Sequence, residues 1–179
     1  DIAIAASSAG ASPVFSTIPE TKSSDFRPDA DYVHICFNNT IYGTKFHYVP
    51  DTGNIPLVAD MSSCIISEPV DVSKFGVIYA GAQKNISMAG VNILIVKVDA
   101  LEKVSRNIPT IMNYMTHVKN GSMFNTPPTV PIYCALQNLK WIKNQGGVEA
   151  VAANNIAKAN LIYDVMDNSN GFYKGHADK

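Results

Sequence analysis

The fold is decided by the stretch Phe75-Gly76-Val77-Ile78-Tyr79-Ala80-Gly81-Ala82-Gln83-Lys84-Asn85, in which a continuous apolar run passes into a polar turn. Comparable apolar runs lie at residues 32–37, 56–59 and 91–98. Runs without alternation are typical of strands that are buried on both faces, as in parallel sheets covered by helices. The sequence therefore predicts an α/β fold with a mostly parallel sheet covered by helices.

Polar clusters follow three of these runs, at residues 38–40, 60–63 and 81–85. In open α/β sheets, ligands bind in the crevice outside the carboxyl ends of the strands. Since the carboxyl ends of parallel strands share one edge of the sheet, we expect the three clusters to converge on a single ligand site.

The rest of the chain predicts an early strand, a long loop and three helices. Ile2 and Ile4 indicate a strand already under way, as in a chain that begins inside a longer protein. Residues 7–28, rich in Ser, Ala, Gly and Pro, indicate a loop. Turn formers are frequent in residues 106–131, and helices are predicted at 99–105 (with Asp99 as the cap), 131–144 and 148–166, the last two separated by Gly146-Gly147.

The composition argues against several classes of protein. The 179 residues carry a net charge of −1, and 16% of them are charged, against about 25% in a typical domain. With no cluster of Lys and Arg, neither a nucleic-acid-binding protein nor a polybasic membrane-surface protein is expected. No apolar run approaches the ~20 residues of a membrane span. The low fraction of charged residues predicts either a neutral surface or a surface that is partly covered by polypeptide outside this sequence.

The cysteines and histidines do not indicate disulfides or metal sites. Cys36, Cys64 and Cys134 are few, odd in number and without Cys-x-x-Cys spacing. They favour reduced, mostly buried thiols in a cytoplasmic protein. The four histidines are scattered, so no metal ligand set is predicted.

Lys84 and Asp60 are the sharpest candidates for chemistry. Lys84 directly follows an apolar strand and is flanked by Gln and Asn. If it is buried, its amine becomes a nucleophile able to form a Schiff base; the alternative is an ordinary turn lysine. Asp60 ends another strand and could keep the pyridine nitrogen of a pyridoxal-phosphate cofactor protonated; the alternative is a turn or N-cap aspartate.

Two further polar groups could bind a ligand. Asn125-Thr126, with Ser122 nearby, offers amide and hydroxyl donors that suit a phosphate, beside two prolines that stiffen the loop. Asn38-Asn39-Thr40 follows the first apolar run. Either group could instead be a plain turn or cap.

Taken together, these segments resemble the phosphoserine aminotransferase family, which are fold-type I enzymes that use pyridoxal phosphate. The resemblance runs from residue 31 to residue 173, and it is specific because the matching segments occur in the family's order and spacing. The strongest segments are residues 38–43, 56–63, 71–75, 81–85 and 121–128.

The resemblance implies a role for each candidate residue. Lys84 would bind the cofactor covalently and then move the proton at the substrate α-carbon, Asp60 would pair with the pyridine nitrogen, and Thr40 would hydrogen-bond the ring. Gln83 would bind the cofactor phosphate. Asn125 and Thr126 would reach the cofactor phosphate of the neighbouring subunit, so a homodimer with shared active sites is implied.

The implied reaction transfers the amino group of L-glutamate to 3-phosphohydroxypyruvate, giving O-phospho-L-serine and 2-oxoglutarate in serine biosynthesis. The family's substrate-binding arginines have no counterpart here, since Arg27 and Arg106 are the only arginines and neither matches. Ser87-Met88 also stands where the family usually carries a Gly-Pro or Ala-Pro pair after Lys84-Asn85.

Those gaps define the domain prediction and the alternatives. Residues 1–147 are interpreted as part of a large cofactor-binding domain, and residues 148–179 as a long helix that starts a small C-terminal domain of a longer enzyme. One alternative is another fold-type I enzyme, such as a relative of alanine–glyoxylate aminotransferase or a cysteine desulfurase. The other is a truncated, non-catalytic scaffold.

Overall fold

The computed structural model describes residues 1–101 and 105–178. Within these ranges the strands come early in the chain and the long helices come late. The strands are β1 (Val33–Cys36), β2 (Asn38–Asn39), β3 (Thr44–Lys45), β4 (Leu57–Asp60), β5 (Val77–Gly81) and β6 (Asn92–Val96). The helices are α1 (Val98–Leu101), α2 (Tyr114–Lys119), α3 (Thr129–Asn144) and α4 (Gly147–Asp167).

Four of the strands form one sheet in the order β1-β4-β5-β6. The pairs β1–β4 and β4–β5 are parallel, and β6 is antiparallel to β5. Strands β2 and β3 form a separate antiparallel hairpin directly after β1. The predicted α/β fold with a mostly parallel sheet is therefore confirmed.

The core lies against one face of this sheet. Leu57 and Ala59 of β4 and Ile78 and Ala80 of β5 are all between 0 and 2% exposed. The buried cluster around them consists of Phe37, Leu57, Ala59, Met61, Cys64, Phe75 and Ile78. The residues that alternate with these on β4 and β5 are half-buried.

The outer strands differ from the prediction of burial on both faces. Residues of β1 are alternately half-buried and exposed, and β6 is largely exposed. Both strands lie at the edges of the sheet, where an apolar run has fewer neighbours than in the centre. The accessible surface of the chain is 12493 Å², against about 8,500 Å² for a typical folded protein of this mass.

The two long helices confirm the predicted positions within two residues. Gln145 and Gly146 separate them and Gly147 begins α4; the φ angles of the two glycines, 101° and 87°, are left-handed values that glycine adopts without strain. Helix α1 corresponds to the start of the helix predicted at 99–105, and residues 102–104 lie outside the described residues. Helix α2 was not predicted, although Asn113 caps it by accepting a hydrogen bond from the Met115 N–H.

Two expectations about the early chain and the thiols are wrong. Residues 1–8 form no strand, and Ile2 and Ile4 are 98% and 83% exposed; a strand needs a hydrogen-bonding partner, and none of the described residues pairs with them. Of the cysteines, which are all free thiols, Cys64 is buried, Cys134 is half-buried and Cys36 is exposed on the edge strand β1.

The packing of Ile78 predicts a large loss of stability on truncation. Ile78→Ala should lower the free energy of unfolding by about 2–4 kcal/mol, because it leaves a cavity beside Leu57 and Phe75. Ile2→Ala, at a 98% exposed position, is the matched control and should change it by less than about 0.5 kcal/mol. Urea denaturation measures both, and equal effects would contradict the assigned core.

The burial of Cys64 predicts a loss of stability in alkali. Desolvation raises the pKa of this thiol from 9.0 to about 11. The folded state then keeps a proton that the unfolded chain releases, so this group's contribution to stability falls as the pH rises from about 9 to about 11. Cys64→Ala should remove on the order of 2 kcal/mol of that fall. Denaturation at pH 8 and pH 11 tests this, and identical losses in the two proteins would contradict it.

Candidate active site

The carboxyl ends of β1, β4 and β5 lie side by side, and the polar residues after them are in contact. Asn38 Nδ2 donates to Ser63 Oγ at 2.8 Å, which joins the segment after β1 to the segment after β4. The Gly81 N–H donates to Ser62 Oγ at 3.0 Å, which joins the end of β5 to that same segment. The predicted convergence of the three clusters is confirmed.

Asp60 is the last residue of β4 and lies between Cys36 of β1 and Tyr79 of β5 in the sheet register. Its Oδ1 accepts a hydrogen bond from the Ser62 N–H at 2.8 Å. An aspartate that bonds the backbone two residues further on stabilises a turn. Asp60 thus fixes the turn and also presents a half-buried carboxylate at the edge of the sheet.

Lys84 lies in the turn after β5, and its side chain extends to the segment after β1. Lys84 Nζ donates to Thr40 Oγ1 at 3.3 Å. Two backbone bonds close the turn, since both the Ile86 N–H and the Ser87 N–H donate to the Ala82 carbonyl. The side chain of Lys84 is exposed, so the condition of burial, under which its amine is expected to become a nucleophile, is not met in this chain.

Gln83 lies between the end of β5 and Lys84, and its amide folds back over Gly81. A Cβ built on Gly81 would collide with this amide, so glycine makes room for it. Gln83 is itself exposed. Its amide is therefore held beside the same edge of the sheet as Lys84 and Asp60.

Helix α3 supports the turn that carries Lys84. Asn138 Nδ2 donates to the carbonyls of Asn85 and Ile86 at 2.8 and 3.1 Å. Ser87 Oγ donates to the Pro131 carbonyl at 2.7 Å. Sequence reasoning missed Asn138, since a single asparagine in an amphipathic helix gives no signal. It also gave no separate role to Ser62, although its place two residues after Asp60 is that of a turn partner.

Asn125 and Thr126 are not brought to this cluster within the chain. Both are exposed in the loop between α2 and α3. In residues 105–178 and 1–101 no hydrogen bond joins either side chain to Asp60, Lys84 or Thr40. Their predicted role toward the cofactor of a neighbouring subunit stays a prediction.

Two titratable groups respond to Asp60. Burial, and then the negative charge of Asp60, raise the pKa of the Tyr79 phenol. Burial followed by the charge of Asp60 also raises the pKa of the Cys36 thiol. Both side chains therefore stay neutral beside the carboxylate at physiological pH.

Neither a metal-ligand cluster nor a membrane-spanning helix occurs in the described part of the chain. His, Cys, Asp and Glu side chains do not gather there in any group of three or more that could hold a metal ion. Nor does any helix within it have both the length and the hydropathy needed to cross a membrane.

Residues 16–179 match the aminotransferase class-V family, and the chain belongs to that family. Within it, the chain is similar to phosphoserine aminotransferases. It is 55% identical over 163 residues to that of Lysinibacillus sphaericus, covering 91% of this chain and 45% of the relative. It is 52% identical over 165 residues to that of Bacillus subtilis, covering 92% and 45%. The chain thus spans about half the length of the curated relatives it matches.

Solved structures agree with this assignment. A phosphoserine aminotransferase crystal structure from a study of radiation damage to its Schiff base superposes with a TM-score of 0.86 at 49% identity, over 92% of this chain and 46% of that one. The pyridoxal-phosphate-bound enzyme of Trichomonas vaginalis gives 0.79 at 41% identity, over 86% and 42%. An alanine–glyoxylate aminotransferase of Nostoc, at 15% identity and a TM-score of 0.53, shares the fold alone.

The Ser62 contact predicts a specific loss at the site. Ser62→Ala removes the hydroxyl that accepts from the buried Gly81 N–H, and an unpaired buried N–H costs about 1–3 kcal/mol. The free energy of unfolding should fall by that amount, and the Gly81 amide should exchange faster with deuterium. Ser24→Ala, at an exposed position, is the control. Unchanged exchange at Gly81 would contradict the contact.

Proposed function

We propose that the chain forms part of a phosphoserine aminotransferase, which transfers the amino group of L-glutamate to 3-phosphohydroxypyruvate with pyridoxal phosphate as cofactor. The observation that carries the proposal is the contact of Lys84 Nζ with Thr40 Oγ1, at the edge of the sheet where Asp60 also ends its strand. The similarity to phosphoserine aminotransferases supports the choice of substrates.

The donor set at this edge fits the cofactor. An amine, a carboxylate and a hydroxyl are the groups that its aldehyde, its pyridine nitrogen and its ring oxygen require. Asp60 ends β4, Lys84 lies in the turn after β5, and Thr40 lies in the turn after the short strand β2 that follows β1, so the parallel strands bring all three to one edge of the sheet. When bound, pyridoxal phosphate supplies an electron-withdrawing ring that stabilises negative charge at the substrate α-carbon.

Each side chain then has a task that its position allows. Lys84 Nζ binds the cofactor and moves the proton at the substrate α-carbon, while Thr40 Oγ1 orients that amine from 3.3 Å. Asp60, whose Oδ1 is held by the Ser62 N–H, keeps the pyridine nitrogen protonated. Gln83, folded over Gly81, binds the cofactor phosphate.

Asn125 and Thr126 belong to the same proposal as groups that act across a dimer. Both residues are exposed, and none of the hydrogen bonds among the described residues joins them to Lys84. This supports a role toward the cofactor phosphate of a second subunit. A homodimer with shared active sites is thus part of the proposal. The proposal also includes a cytoplasmic location, which the three free thiols support. It further divides the chain into part of a large domain at residues 1–147 and the start of a small domain at residues 148–179.

A second candidate is a non-catalytic scaffold that binds cofactor or a second subunit without turnover. The observation that favours it is the large accessible surface of 12493 Å², which leaves many apolar side chains in water. The two candidates differ in whether the protein transaminates at all.

Lys84→Ala separates the candidates. It should abolish glutamate-dependent transamination and the visible absorbance that pyridoxal phosphate gains on the protein, because among the described residues Lys84 alone donates an amine hydrogen bond to Thr40. The assay is run on the full-length natural protein that contains these residues and, in parallel, on the 179-residue chain. Lys140→Ala, exposed on α3, is the control and should keep both signals.

Full activity in Lys84→Ala would contradict the proposed catalytic role. A wild-type protein that takes up cofactor but transfers no amino group in any form would favour the scaffold. Activity in the full chain alone would assign the reaction to the longer protein.

A further inference from the structure

We infer that Asn85 is a positioning residue for Lys84, because it ties the turn after β5 both to the segment after β4 and to helix α3. This inference rests on the proposed function, in which Lys84 Nζ attaches to the cofactor. Among the described residues, no hydrogen bond joins the Asn85 side chain to Lys84 or Thr40. Asn85 therefore acts through the main chain that it shares with Lys84.

The first tie joins the turn of Lys84 to the segment that follows Asp60. Asn85 Nδ2 donates to the Ile65 carbonyl at 3.1 Å. The Ile65 N–H in turn donates to the Met61 carbonyl at 2.8 Å. Two hydrogen bonds thus lead from the residue after Lys84 to the residue after Asp60.

The second tie holds the main chain of the turn against α3. Asn138 Nδ2 donates to the carbonyls of Asn85 and Ile86 at 2.8 and 3.1 Å. The Ile86 side chain is 1% exposed and lies in a buried cluster with Ala135 of α3. The turn is therefore fixed by polar contacts at Asn85 and by packing at Ile86, directly after Lys84.

The segment that accepts the Asn85 amide has a strained backbone. Ile66 has a φ of 58°, a left-handed value that is a genuine outlier for a β-branched residue. Such a conformation persists only where its surroundings hold it, and it occurs most often at functional sites. Asn85 donates to the Ile65 carbonyl before it, and Asn155 Nδ2 of α4 donates to the Ser67 carbonyl after it at 3.0 Å. Asn85 is thus one of two side chains that bracket the strained residue.

These ties hold in place the two groups that the cofactor needs at opposite ends of its ring. The Lys84 amine has to reach the aldehyde while the Asp60 carboxylate reaches the pyridine nitrogen, so the separation of their two turns has to match the ring. Since the Lys84 side chain is exposed, the placement of its backbone and the contact with Thr40 set where the amine lies. A misplacement of about 1 Å costs on the order of 100-fold in rate.

Asn85→Ala tests this role at an exposed position. Attachment forms a C=N bond between Lys84 Nζ and the aldehyde carbon and releases one water. Sodium borohydride then makes the link permanent, since it adds hydride to the carbon while the nitrogen takes a proton from water. The full-length natural protein is freed of cofactor, mixed with pyridoxal phosphate and quenched with borohydride at successive times, and mass spectrometry gives the rate of attachment.

That rate should fall about tenfold in Asn85→Ala, because the amine is less well placed. The kcat for transamination should fall by a similar factor, whereas the KM for L-glutamate should stay within about twofold, since the change acts on Lys84 and not on substrate binding. Asn154→Ala, exposed on α4, is the matched control and should keep all three values.

A second variant tests the contact with α3. Asn138→Leu keeps the size of the side chain and removes the N–H group that holds the Asn85 and Ile86 carbonyls, so it should show the same losses. The double variant should lose less than the product of the two single effects, because both act on one turn. If Asn85→Ala does not fold, as judged by thermal unfolding, Asn138→Leu replaces it and must show the slower attachment.

The outcomes separate this inference from the function on which it rests. A wild-type protein to which borohydride fixes no pyridoxal phosphate at Lys84 would contradict the proposed function. A wild-type protein that attaches it, together with an Asn85→Ala variant that attaches it at the same rate per folded molecule, would overturn the inference alone. A purely structural role would give that second result, since it changes the amount of folded protein and leaves the rate of attachment unchanged.

Discussion

Parallel pairing of β1, β4 and β5 is the constraint on which the rest of the structure depends. It places the carboxyl ends of three strands at one edge, so residues that are 19 to 44 positions apart in sequence come within hydrogen-bond distance there. One group lies at or after the end of each strand: the Thr40 hydroxyl in the segment after β1, the Asp60 carboxylate at the end of β4 and the Lys84 amine in the turn after β5. A one-residue shift in the pairing would turn Asp60 to the opposite, apolar face.

The edge of the sheet could be predicted from sequence because its signals are local. One apolar run ends in Asp60, and another is followed by Gln83 and Lys84. Each pattern predicts both a strand and the polar group at its end. The long helices were predictable for a similar reason, since Gly146-Gly147 separates two periodic segments. The solvent exposure of Lys84 and of β1 could not be predicted in this way, because exposure depends on neighbours that no local pattern specifies.

The supports of the site were beyond prediction because they join distant segments through single polar atoms. Asn138 meets the turn at Asn85 from 53 residues away, and His34 meets Tyr79 from 45 residues away. An asparagine in a helix or a histidine in a strand has many possible partners, and only the packed chain selects one. The first contact joins α3 to the turn after β5, and the second joins β1 to β5 across β4.

The large accessible surface also determines how cooperatively this chain can unfold. A chain of 19.3 kDa exposes about 28,000 Å² when unfolded, of which an ordinary domain buries about 70%, whereas a folded surface of 12493 Å² corresponds to about 55%. Both the heat-capacity change and the steepness of a denaturant transition scale with the area that unfolding exposes. The 179 residues alone should thus unfold over a broader range of temperature and denaturant than a closed domain of equal length, and covering the apolar sides of α3 and α4 would sharpen the transition.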